Sequence, residues 1–454
     1  MQDIQKENKM GVMPVNRLLV SMSLPMMLSM IVQALYNVVD SIFVSRLSED
    51  ALTAVTLAFP VQSLMIAFGS GLGVGINAML SKSLGEKNRE NVNDAVSHGM
   101  IIVAAVYVIF LCIGAFGSRL FMNSQTDISG IADDGASYLS IVCICSFGLF
   151  SQFLFERLLQ STGRTLYTMI TQSTGAVINI ILDPILIFGL FGAPELGVAG
   201  AAAATVTGQC AAALLALFFN LRKNPEITIS LRGIRWKKRV FGRILAVGIP
   251  SVIMQAISSV MNLGMNAILI SFSSTAVAVF GIYFKLQSFV FMPVFGLNNG
   301  MVPIVSYNYG AASLPRVKRT IKLTICTAMA IMAVGCLIFQ LFPQQLLMFF
   351  NASEEMLSIG PAALRIIGVT FPLAGFCIIA GSMFQAIGNP LHSLVVSVCR
   401  QLVVLLPSAY LLSLSGRLEL VWLSFPIAEV VSLTLTAIFL RQTLRAADAR
   451  MAAR

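Results

Sequence analysis

The sequence predicts an all-α polytopic membrane protein, with twelve transmembrane helices in two six-helix bundles that form parallel repeats. Of its 454 residues, 57% are hydrophobic and only 11% are charged, whereas a soluble domain carries about 25% charged residues. Apolar windows of about 18 or more residues recur along the chain, and each is long enough to cross a hydrocarbon core of roughly 30 Å. An internal repeat divides these windows into two sets of six.

The apolar windows are distributed along the whole chain. Their centres lie near residues 30, 66, 105, 147, 177, 208, 256, 290, 329, 372, 402 and 430. We expect a helix at each of them, because a chain that crosses hydrocarbon as separate segments must satisfy its backbone hydrogen bonds within each segment.

One constant shift in sequence number aligns the first half of the chain with the second, without a gap from Pro25 to Gly85. We call it the repeat offset, and it matches Pro25 with Pro250, Asn37 with Asn262, Gly71 with Gly296, Gly75 with Gly300 and Ser81 with Ser306. Six spans are an even number, so both halves enter the membrane in the same direction, as parallel repeats do. The predicted domains are an N-terminal lobe at 1–221, a basic linker at 222–242, a C-terminal lobe at 243–441 and a tail at 442–454.

The formal net charge of +10 is distributed unevenly between the predicted loops. If the N-terminus is cytoplasmic, 24 of the 30 Lys and Arg residues fall in cytoplasmic segments. This asymmetry follows the positive-inside rule and predicts a multi-pass protein of the cytoplasmic membrane with both termini inside. Orientation explains the basic excess, so we expect no nucleic-acid partner.

Polar residues follow one face of three predicted spans in the N-terminal half. In the first span the stripe has the spacing of one helix face, and it consists of Gln33, Tyr36, Asn37 and Asp40. The fifth span carries Thr168, Gln172, Gly175, Asn179 and Asp183, and the sixth carries Thr205 and Gln209. Such stripes must face protein or a water-filled cavity, because hydrocarbon offers them no partner.

Asp40 and Asp183 are expected at a similar depth in the membrane. Both spans run outward, and each acid lies ~8–9 Å before the end of its helix at 1.5 Å per residue. Asn179 lies one turn deeper than Asp183, and Thr205 reaches a similar level from a span that runs inward. These side chains predict a site for H⁺ or Na⁺, with Na⁺ bound by Asp40, Asp183 and Asn179. Hydrogen-bonded packing between helices is the alternative interpretation.

Pro184 follows Asp183 directly. Its missing N–H leaves the Ile180 carbonyl without a helical partner, and we expect a kink there. Free carbonyls beside carboxylates are groups that Na⁺ or a proton relay would use.

The matching stripe in the C-terminal half lacks an acid. It consists of Gln255, Ser259, Asn262 and Asn266. Lys285 and Glu429 fall at similar depths in other spans of this half, which predicts an ion pair between them. The two histidines lie in opposite halves of the chain, so we expect no metal site of the histidine type.

Several motifs resemble those of one transporter family. They are LYNVVDSIFVSRL (35–47), NIILDP (179–184), the paired loops SKSLGEKNRENV (81–92) and SYNYGAASLPRVKR (306–319), and LQSTGR (159–164) with FQAIGNP (384–390). This set, in this order, covers essentially the whole chain and is similar to the multidrug and toxic compound extrusion (MATE) transporters.

The resemblance implies a two-lobed, V-shaped antiporter that exports organic cations in exchange for H⁺ or Na⁺. In family members with a site in the N-terminal lobe, the matching positions here are Asp40, Asn179, Asp183 and Thr205, with Tyr36 and Tyr138 nearby. The resemblance also implies that the first span bends at Pro25 after protonation. Gln255 stands where another branch of the family carries an acid that binds Na⁺, so coupling through the C-terminal lobe is not expected.

The sequence therefore favours a secondary active efflux antiporter over an enzyme, with no cofactor besides the coupling ion. The predicted ion-coupling residues are Asp40, Asp183, Asn179, Thr205 and Tyr36, and the predicted hinges are Pro25 and Pro184. The predicted cavity residues are Gln33, Asn37, Tyr138, Gln172, Gln209, Gln255 and Asn262. We expect lipophilic organic cations as cargo and a monomer in the lipid bilayer. The alternatives are a lipid-linked precursor flippase of related architecture and a non-transporting receptor or channel.

Overall fold

The computed structural model describes residues 8–230, 236–350 and 352–452. All regular elements in these ranges are helices, and no strand occurs among them, which confirms the all-α class. The first half contains α1 (Lys9–Val12), α2 (Val15–Leu47), α3 (Glu49–Gly85), α4 (Arg89–Cys112), α5 (Ser118–Gln125), α6 (Ser129–Ile144), α7 (Phe147–Ser161), α8 (Thr165–Phe188) and α9 (Val198–Lys223). A π-helical segment, Ile113–Gly117, joins α4 to α5, and a short 3-10 turn, Leu190–Gly192, follows α8.

The second half has a matching series of helices. It contains α10 (Lys238–Leu269), α11 (Ser274–Gly310), α12 (Leu314–Leu341), α13 (Pro343–Met348), α14 (Glu354–Gly368), α15 (Phe371–Ile387), α16 (Pro390–Val398), α17 (Leu406–Ser413), α18 (Leu418–Trp422) and α19 (Ser424–Ala452). A second π-helical segment, Cys399–Leu405, joins α16 to α17.

The number of membrane spans agrees with the sequence prediction. Within the described ranges, ten continuous helical segments are long and apolar enough to cross a membrane. Two further spans are broken in the middle, because α6 meets α7 at 43° and α14 meets α15 at 46°. Counting each bent pair as one span gives twelve.

The two halves repeat each other in structure at the same repeat offset. The bent pair α6–α7 recurs at this offset as the bent pair α14–α15. The Ser81 hydroxyl donates to the Ser161 carbonyl at 3.2 Å, and the Ser306 hydroxyl donates to the Ala386 carbonyl at 2.9 Å. Donor and acceptor are both displaced by the repeat offset, so the repeat conserves a tertiary contact as well as sequence.

A glycine turn follows the second helix of each bent pair. Gly163 has a φ of +84° and Gly388 has a φ of +95°. Glycine adopts this left-handed backbone without the steric cost that a Cβ brings. The recurrence of LQSTGR as FQAIGNP in the sequence therefore reflects a backbone turn that both halves need.

The chain groups into two compact units. The first unit is Leu28–Gly248, and the second unit combines Met1–Met27 with Ile249–Arg454. Close backbone packing at glycines explains why the first part of α10 belongs to the first unit. A Cβ on Gly75 in α3 would lie 2.3 Å from the Ile244 carbonyl oxygen. In the second unit, a Cβ on Gly300, the repeat counterpart of Gly75, would lie 2.7 Å from the Ser23 Cα.

The units differ in their end points from the domains proposed at 1–221 and 243–441. Those domains separate whole helices, whereas the units divide α2 after Met27 and α10 after Gly248. Residues 231–235 of the predicted linker and 453–454 of the predicted tail lie outside the described residues.

The end of the linker is docked on the first unit. The Lys237 ammonium donates to Asp94 Oδ2 at 2.6 Å and also contacts the Glu90 carboxylate. Its backbone N–H donates to His98 Nε2 at 3.0 Å. Because Lys237 directly precedes α10, these contacts fix the start of that helix against α4.

Several helices contain an internal proline, and three of these prolines bear on the predicted hinges. Pro25 lies in α2, Pro184 in α8 and Pro250 in α10. Pro25 and Pro250 are each within two residues of the point where their helix passes from one unit to the other. Proline lacks the N–H that would complete the helical hydrogen bond and therefore weakens the helix locally. The hinge roles of Pro25 and Pro184 stay predictions.

Candidate ion site

Asp183 is the most enclosed of the predicted site residues. It lies in α8 at 0% exposure, one turn after Asn179, which is also buried. With its amide nitrogen turned to the carboxylate, Asn179 donates to Asp183 Oδ2 at 3.1 Å. In that orientation its oxygen accepts from the Thr205 hydroxyl at 3.3 Å and from the Thr205 backbone N–H at 3.1 Å. The structure therefore brings these three residues together, with α8 and α9 joined through Asn179.

Two glycines allow α8 and α9 to approach closely enough for this contact. A Cβ on Gly208 would lie 2.6 Å from the Gly175 carbonyl oxygen and 3.3 Å from the Asn179 Cβ. A Cβ on Gly175 would lie 2.9 Å from the Gly208 carbonyl oxygen. Small residues let helix backbones meet in this way, so the crossing at Gly175 and Gly208 places Thr205 beside Asn179.

Asp40 reaches the same point from α2. Its carboxyl group lies within hydrogen-bonding distance of the Asp183 carboxyl group. Its Oδ1 is buried and has no hydrogen-bond partner among the residues that the structure describes. Two carboxylates at this separation repel each other strongly unless a positive charge lies between them. We refer to these two residues as the aspartate pair.

The aspartate pair is suited to a small cation. A proton shared by the two acids would remove their repulsion. A Na⁺ ion held by carboxylate oxygens and nearby carbonyl oxygens would do the same. Within 8–230, 236–350 and 352–452, no group of three or more His, Cys, Asp or Glu residues is placed to hold a metal ion.

Two tyrosines flank the aspartate pair. Tyr36 lies one turn before Asp40 in α2, and Tyr138 lies in α6 at 3% exposure. Both rings are close enough to the two acids to interact with them electrostatically. The Tyr138 hydroxyl donates to Gln62 Oε1 at 3.4 Å, so α3 also contributes to the site. Gln62 was not among the predicted site residues.

The other predicted cavity residues lie in both units. In the first unit, Gln33 and Asn37 are on α2 and Gln209 is on α9, one turn after Thr205. Asn37 is exposed, whereas Gln33 and Gln209 are half-buried. Gln255 and Asn262 belong to the part of α10 in the second unit, where Gln255 is exposed and Asn262 is half-buried.

Gln172 belongs to a different polar cluster, built around Glu156 of α7. Gln172 Nε2 donates to Glu156 Oε2 at 2.6 Å, and the Ser29 hydroxyl donates to Gln172 Oε1. Gln152 Nε2 and the Thr171 hydroxyl donate to Glu156 Oε1 at 2.9 Å and 3.1 Å. Glu156 is 2% exposed. We call these five residues the Glu156 cluster.

Glu156 was not predicted from the sequence, although a signal was present. Gln152, Glu156 and Gln160 are spaced at i, i+4 and i+8 within an apolar region, which is the spacing of one helix face. The adjacent Arg157 made this part of the chain resemble a charged cytoplasmic loop. In the structure, both Glu156 and Arg157 are buried within the first unit.

The second unit pairs its buried acid with an arginine. Arg400 Nη1 lies 3.2 Å from Glu429 Oε2, with the Glu429 side chain 7% exposed. The predicted pair between Lys285 and Glu429 is therefore wrong. The Lys285 ammonium lies 5.9 Å from the centre of the Phe350 ring instead. Arg400 lies in a π-helical segment, whose wider turn changes the direction of side chains relative to an α-helix.

Known proteins resemble this chain over nearly its whole length. The MatE family profile matches residues 25–185 and 250–411. The multidrug export protein MepA of Staphylococcus saprophyticus is 27% identical over 414 residues, which are 90% of either chain. The FAD transporter of Shewanella oneidensis is 25% identical over 431 residues, 92% of each protein.

A solved structure is also closely similar. It is described as the outward-facing conformation of a multidrug resistance MATE family transporter of the MOP superfamily. It matches this chain with a TM-score of 0.91 and 26% sequence identity, covering 98% of this chain and 99% of the other.

Proposed function

The chain belongs to the MatE family, and from that premise we propose that it exports lipophilic organic cations in exchange for H⁺ or Na⁺ bound at Asp40 and Asp183. The family match and the multidrug export relatives make it a multidrug efflux transporter in the membrane and not an enzyme. The observation that carries the exchange mechanism is the contact between the buried Asp183 carboxyl group and the half-buried Asp40 carboxyl group, whose Oδ1 is buried.

The aspartate pair gives the empty and the ion-bound protein different charges. With H⁺ or Na⁺ bound, the two carboxyl groups stay together beside Asn179 and Thr205. Without the ion, two negative charges face each other at a buried position, and their repulsion favours separation of α2 from α8. The anionic state attracts a cationic cargo, so the ion and the cargo compete for the same negative charge. A ligand shifts a conformational equilibrium only by its difference in affinity for the two states, and charge supplies that difference here.

The ratio of ions to cargo determines whether the membrane potential can drive the exchange. Moving one elementary charge across the membrane is worth about 2.3 kcal/mol per 100 mV. One ion that enters while one monovalent cation leaves gains nothing from the potential and uses only the ion gradient. Two acids permit uptake of a second positive charge, which would let the potential contribute.

The other predicted residues are proposed to support the exchange. Tyr36 and Thr205 position the acids, and Pro25 and Pro184 allow α2 and α8 to bend. Gln33, Asn37, Tyr138 and Gln209 are proposed to contact cargo in the first unit. Gln255 and Asn262 are proposed to contact cargo in the second unit. Gln172 joins the Glu156 cluster and is left out of this set.

Orientation follows from the distribution of basic residues. Both termini are proposed to lie in the cytoplasm, with the chain crossing the cytoplasmic membrane, and the positive-inside rule supports this orientation. We propose that the protein works there as a monomer, with lipophilic organic cations as its partners and no cofactor besides the coupling ion. The FAD transporter among the relatives shows that one similar protein carries a different cargo, so flavin nucleotides belong in any cargo panel.

Purified protein in liposomes tests the exchange. Uptake of tetraphenylphosphonium is measured with the membrane potential held at zero, under an imposed pH gradient or an imposed Na⁺ gradient. We expect uptake against the cation's own gradient under one of the two, and none in liposomes without protein.

The rival functions give different results in the same preparation. A channel would pass current without requiring a counter-ion gradient. A flippase would move a fluorescent lipid-linked precursor across the bilayer while leaving the cation outside. Absence of gradient-driven uptake for every cation and flavin tested would rule out the proposed exchange.

A further inference from the structure

A second buried carboxylate lies in the same unit as the aspartate pair and has no part in the exchange described so far. Glu156 is 2% exposed and accepts hydrogen bonds from Gln152, Thr171 and Gln172. Burying an ionised carboxylate costs several kcal/mol unless hydrogen bonds or an opposite charge compensate. A helix bundle that needed only packing would fill this position with an apolar side chain.

The Glu156 cluster and the aspartate pair lie along the same two helices. Ser29 of α2 contacts Gln172 of α8, and Asp40 of α2 contacts Asp183 of α8. The sequence separation between the partners is the same in both contacts. The helices therefore run parallel in one register, with two polar contacts that are about three turns or ~16 Å apart along each helix.

Polar side chains occupy the interval between these two contacts. Gln33 lies one turn beyond Ser29 on α2, and Tyr36 lies one turn before Asp40. The four α2 residues thus share one helix face. The polar face that carries the aspartate pair continues without a break to the Glu156 cluster.

The hydrogen bonds of Glu156 suit both a charged and a neutral carboxyl group. When Glu156 is ionised, the two amide N–H groups of Gln152 and Gln172 and the Thr171 hydroxyl all donate to it. The Thr171 oxygen also lies 2.8 Å from the Thr168 carbonyl oxygen. When Glu156 is protonated, its O–H can donate to the Thr171 oxygen, whose hydrogen turns to Thr168. Hydroxyl groups rotate to suit their partners, so the proton can be bound without breaking the fold.

The groups around Glu156 select a proton over Na⁺. Its partners present N–H and O–H hydrogens to the carboxylate, whereas Na⁺ would need oxygen atoms in their place. α8 contributes the neutral groups Thr171 and Gln172, and Ser29 of α2 contacts Gln172. Asn220 of α9 donates to the backbone carbonyl of Phe155, the residue before Glu156. The charged group that acts on Glu156 is the next residue, Arg157. Arg157 Nη1 donates to Gln160 Oε1 at 2.8 Å. Gly73 of α3 packs against the Arg157 side chain.

We propose that Glu156 is a second proton-binding site of the transport cycle, which accepts the proton that leaves the aspartate pair and passes it to the cytoplasmic side. An O–H bond breaks at an aspartate and one forms at Glu156, and the proton finally enters the cytoplasmic water. Glu156 lies five residues before the end of α7, the end assigned to the cytoplasm by the distribution of basic residues. This inference rests on the proposed exchange and commits its coupling ion to the proton.

The test separates net transport from exchange in liposomes. Glu156→Gln removes the titratable group at constant size, and Glu156→Asp keeps an acid on a shorter side chain. Thr174→Val is the matched control, because the Thr174 hydroxyl on α8 donates to the Ile170 carbonyl of its own helix. Uptake of radiolabelled tetraphenylphosphonium is measured under a pH gradient, and exchange is measured with unlabelled tetraphenylphosphonium inside and no gradient.

We expect Glu156→Gln to lower pH-driven uptake by about tenfold, in the range of ordinary coupling energies, while exchange stays close to wild type. Exchange needs no net release of protons inside, so a relay residue affects it little. Glu156→Asp should keep measurable pH-driven uptake with a displaced pH profile, and Thr174→Val should behave like wild type.

Each other outcome contradicts a specific part of the account. If Glu156→Gln takes up cargo as fast as wild type, the relay is overturned. If both Glu156 variants lose uptake and exchange equally, Glu156 has a structural role and the relay is also overturned. If Glu156→Gln does not fold, an unshifted pH profile in Glu156→Asp overturns the relay. If a Na⁺ gradient alone drives uptake by the wild-type protein, the relay is overturned but the exchange stands. If neither an H⁺ nor a Na⁺ gradient drives its uptake, the proposed function itself is overturned.

Discussion

The first and second units share a backbone plan but differ in the charged side chains that they hold inside it. At the repeat offset, Asp40 corresponds to Met265 and Asp183 corresponds to Ser408. The first unit holds two carboxyl groups in contact, and the second unit holds one buried acid beside an arginine, with Arg400 Nη1 3.2 Å from Glu429.

This difference distinguishes the features that build the shared fold from the side chains that form the candidate ion site. The duplicated features are turns, bends and close helix contacts, such as the hydrogen bonds from Ser81 and Ser306 to carbonyls at the same offset. The features that differ are charged side chains. An acid that is neutralised by an internal arginine has no need of an external cation, whereas the aspartate pair needs one to relieve its repulsion. The comparison therefore supports the proposal that ion exchange takes place in the first unit.

The largest effect on stability is expected at the arginine pair. Glu429→Gln leaves Arg400 partly buried without its counter-charge, and such losses cost about 3 kcal/mol. Asp183→Asn removes a like-charge contact, so its free energy of unfolding should stay within ~1 kcal/mol of wild type. Unfolding of the purified variants in detergent measures both values. Equal destabilisation by the two substitutions would contradict the electrostatic difference between the units.

A smaller effect is expected where α8 crosses α9. Gly208→Ala places a Cβ too close to the Gly175 carbonyl oxygen, and overpacking of this kind costs about 1–3 kcal/mol. The same displacement should move Thr205 away from Asn179 and slow gradient-driven uptake. Gly130→Ala is the control in the same unit, because a Cβ there meets nothing within 4 Å. A Gly208→Ala variant as stable and active as Gly130→Ala would show that the close crossing does not position the site.

The architecture and the aspartate pair were predictable because both depend on position along a helix. Apolar windows indicated the spans, and the repeat offset indicated the duplication. Counting residues from the predicted helix ends placed Asp40 and Asp183 at one depth, and the structure brings their carboxyl groups into contact.

What the sequence did not reveal depends on the direction in which a side chain points around its helix. Lys285 and Glu429 were predicted at similar depths, but depth does not fix direction, and Arg400 in the π-helical segment contacts Glu429 instead. Glu156 was missed because its neighbour Arg157 suggested a loop. Gln172 was predicted to line the cavity because it shares a helix face with Asp183, although it lies three turns before Asp183 on α8 and donates to Glu156.

The smallest effect is expected at the contacts of Lys237 with Asp94 and Glu90, which we call the linker clamp. This prediction compares a surface ion pair of the first unit with one of the second. Hydrogen bonds to Asp94 and then to Glu90 raise the pKa of Lys237 above its usual range. A raised pKa means that the clamp is fully present below the ordinary lysine pKa of about 10.4. It is lost only as the pH rises through the higher value of the folded protein.

Limited trypsin digestion measures the clamp at neutral pH. Lys237→Met should expose the linker and speed cleavage there, since the start of α10 loses its anchor on α4. Lys318→Met removes the exposed ion pair with Asp448 in the second unit and is the control, because exposed pairs contribute little. Equal linker cleavage in both variants would show that the clamp does not hold the linker.

The central claim is that cargo and a small cation compete for the aspartate pair, and cation release on cargo binding tests it most directly. Purified protein is titrated with tetraphenylphosphonium in weakly buffered solution, and released H⁺ or Na⁺ is counted. Binding linkage is reciprocal, so wild type should release about one cation per bound cargo. Asp40→Asn and Asp183→Asn should release almost none, while Glu429→Gln should still release. Undiminished release from Asp183→Asn would contradict the account.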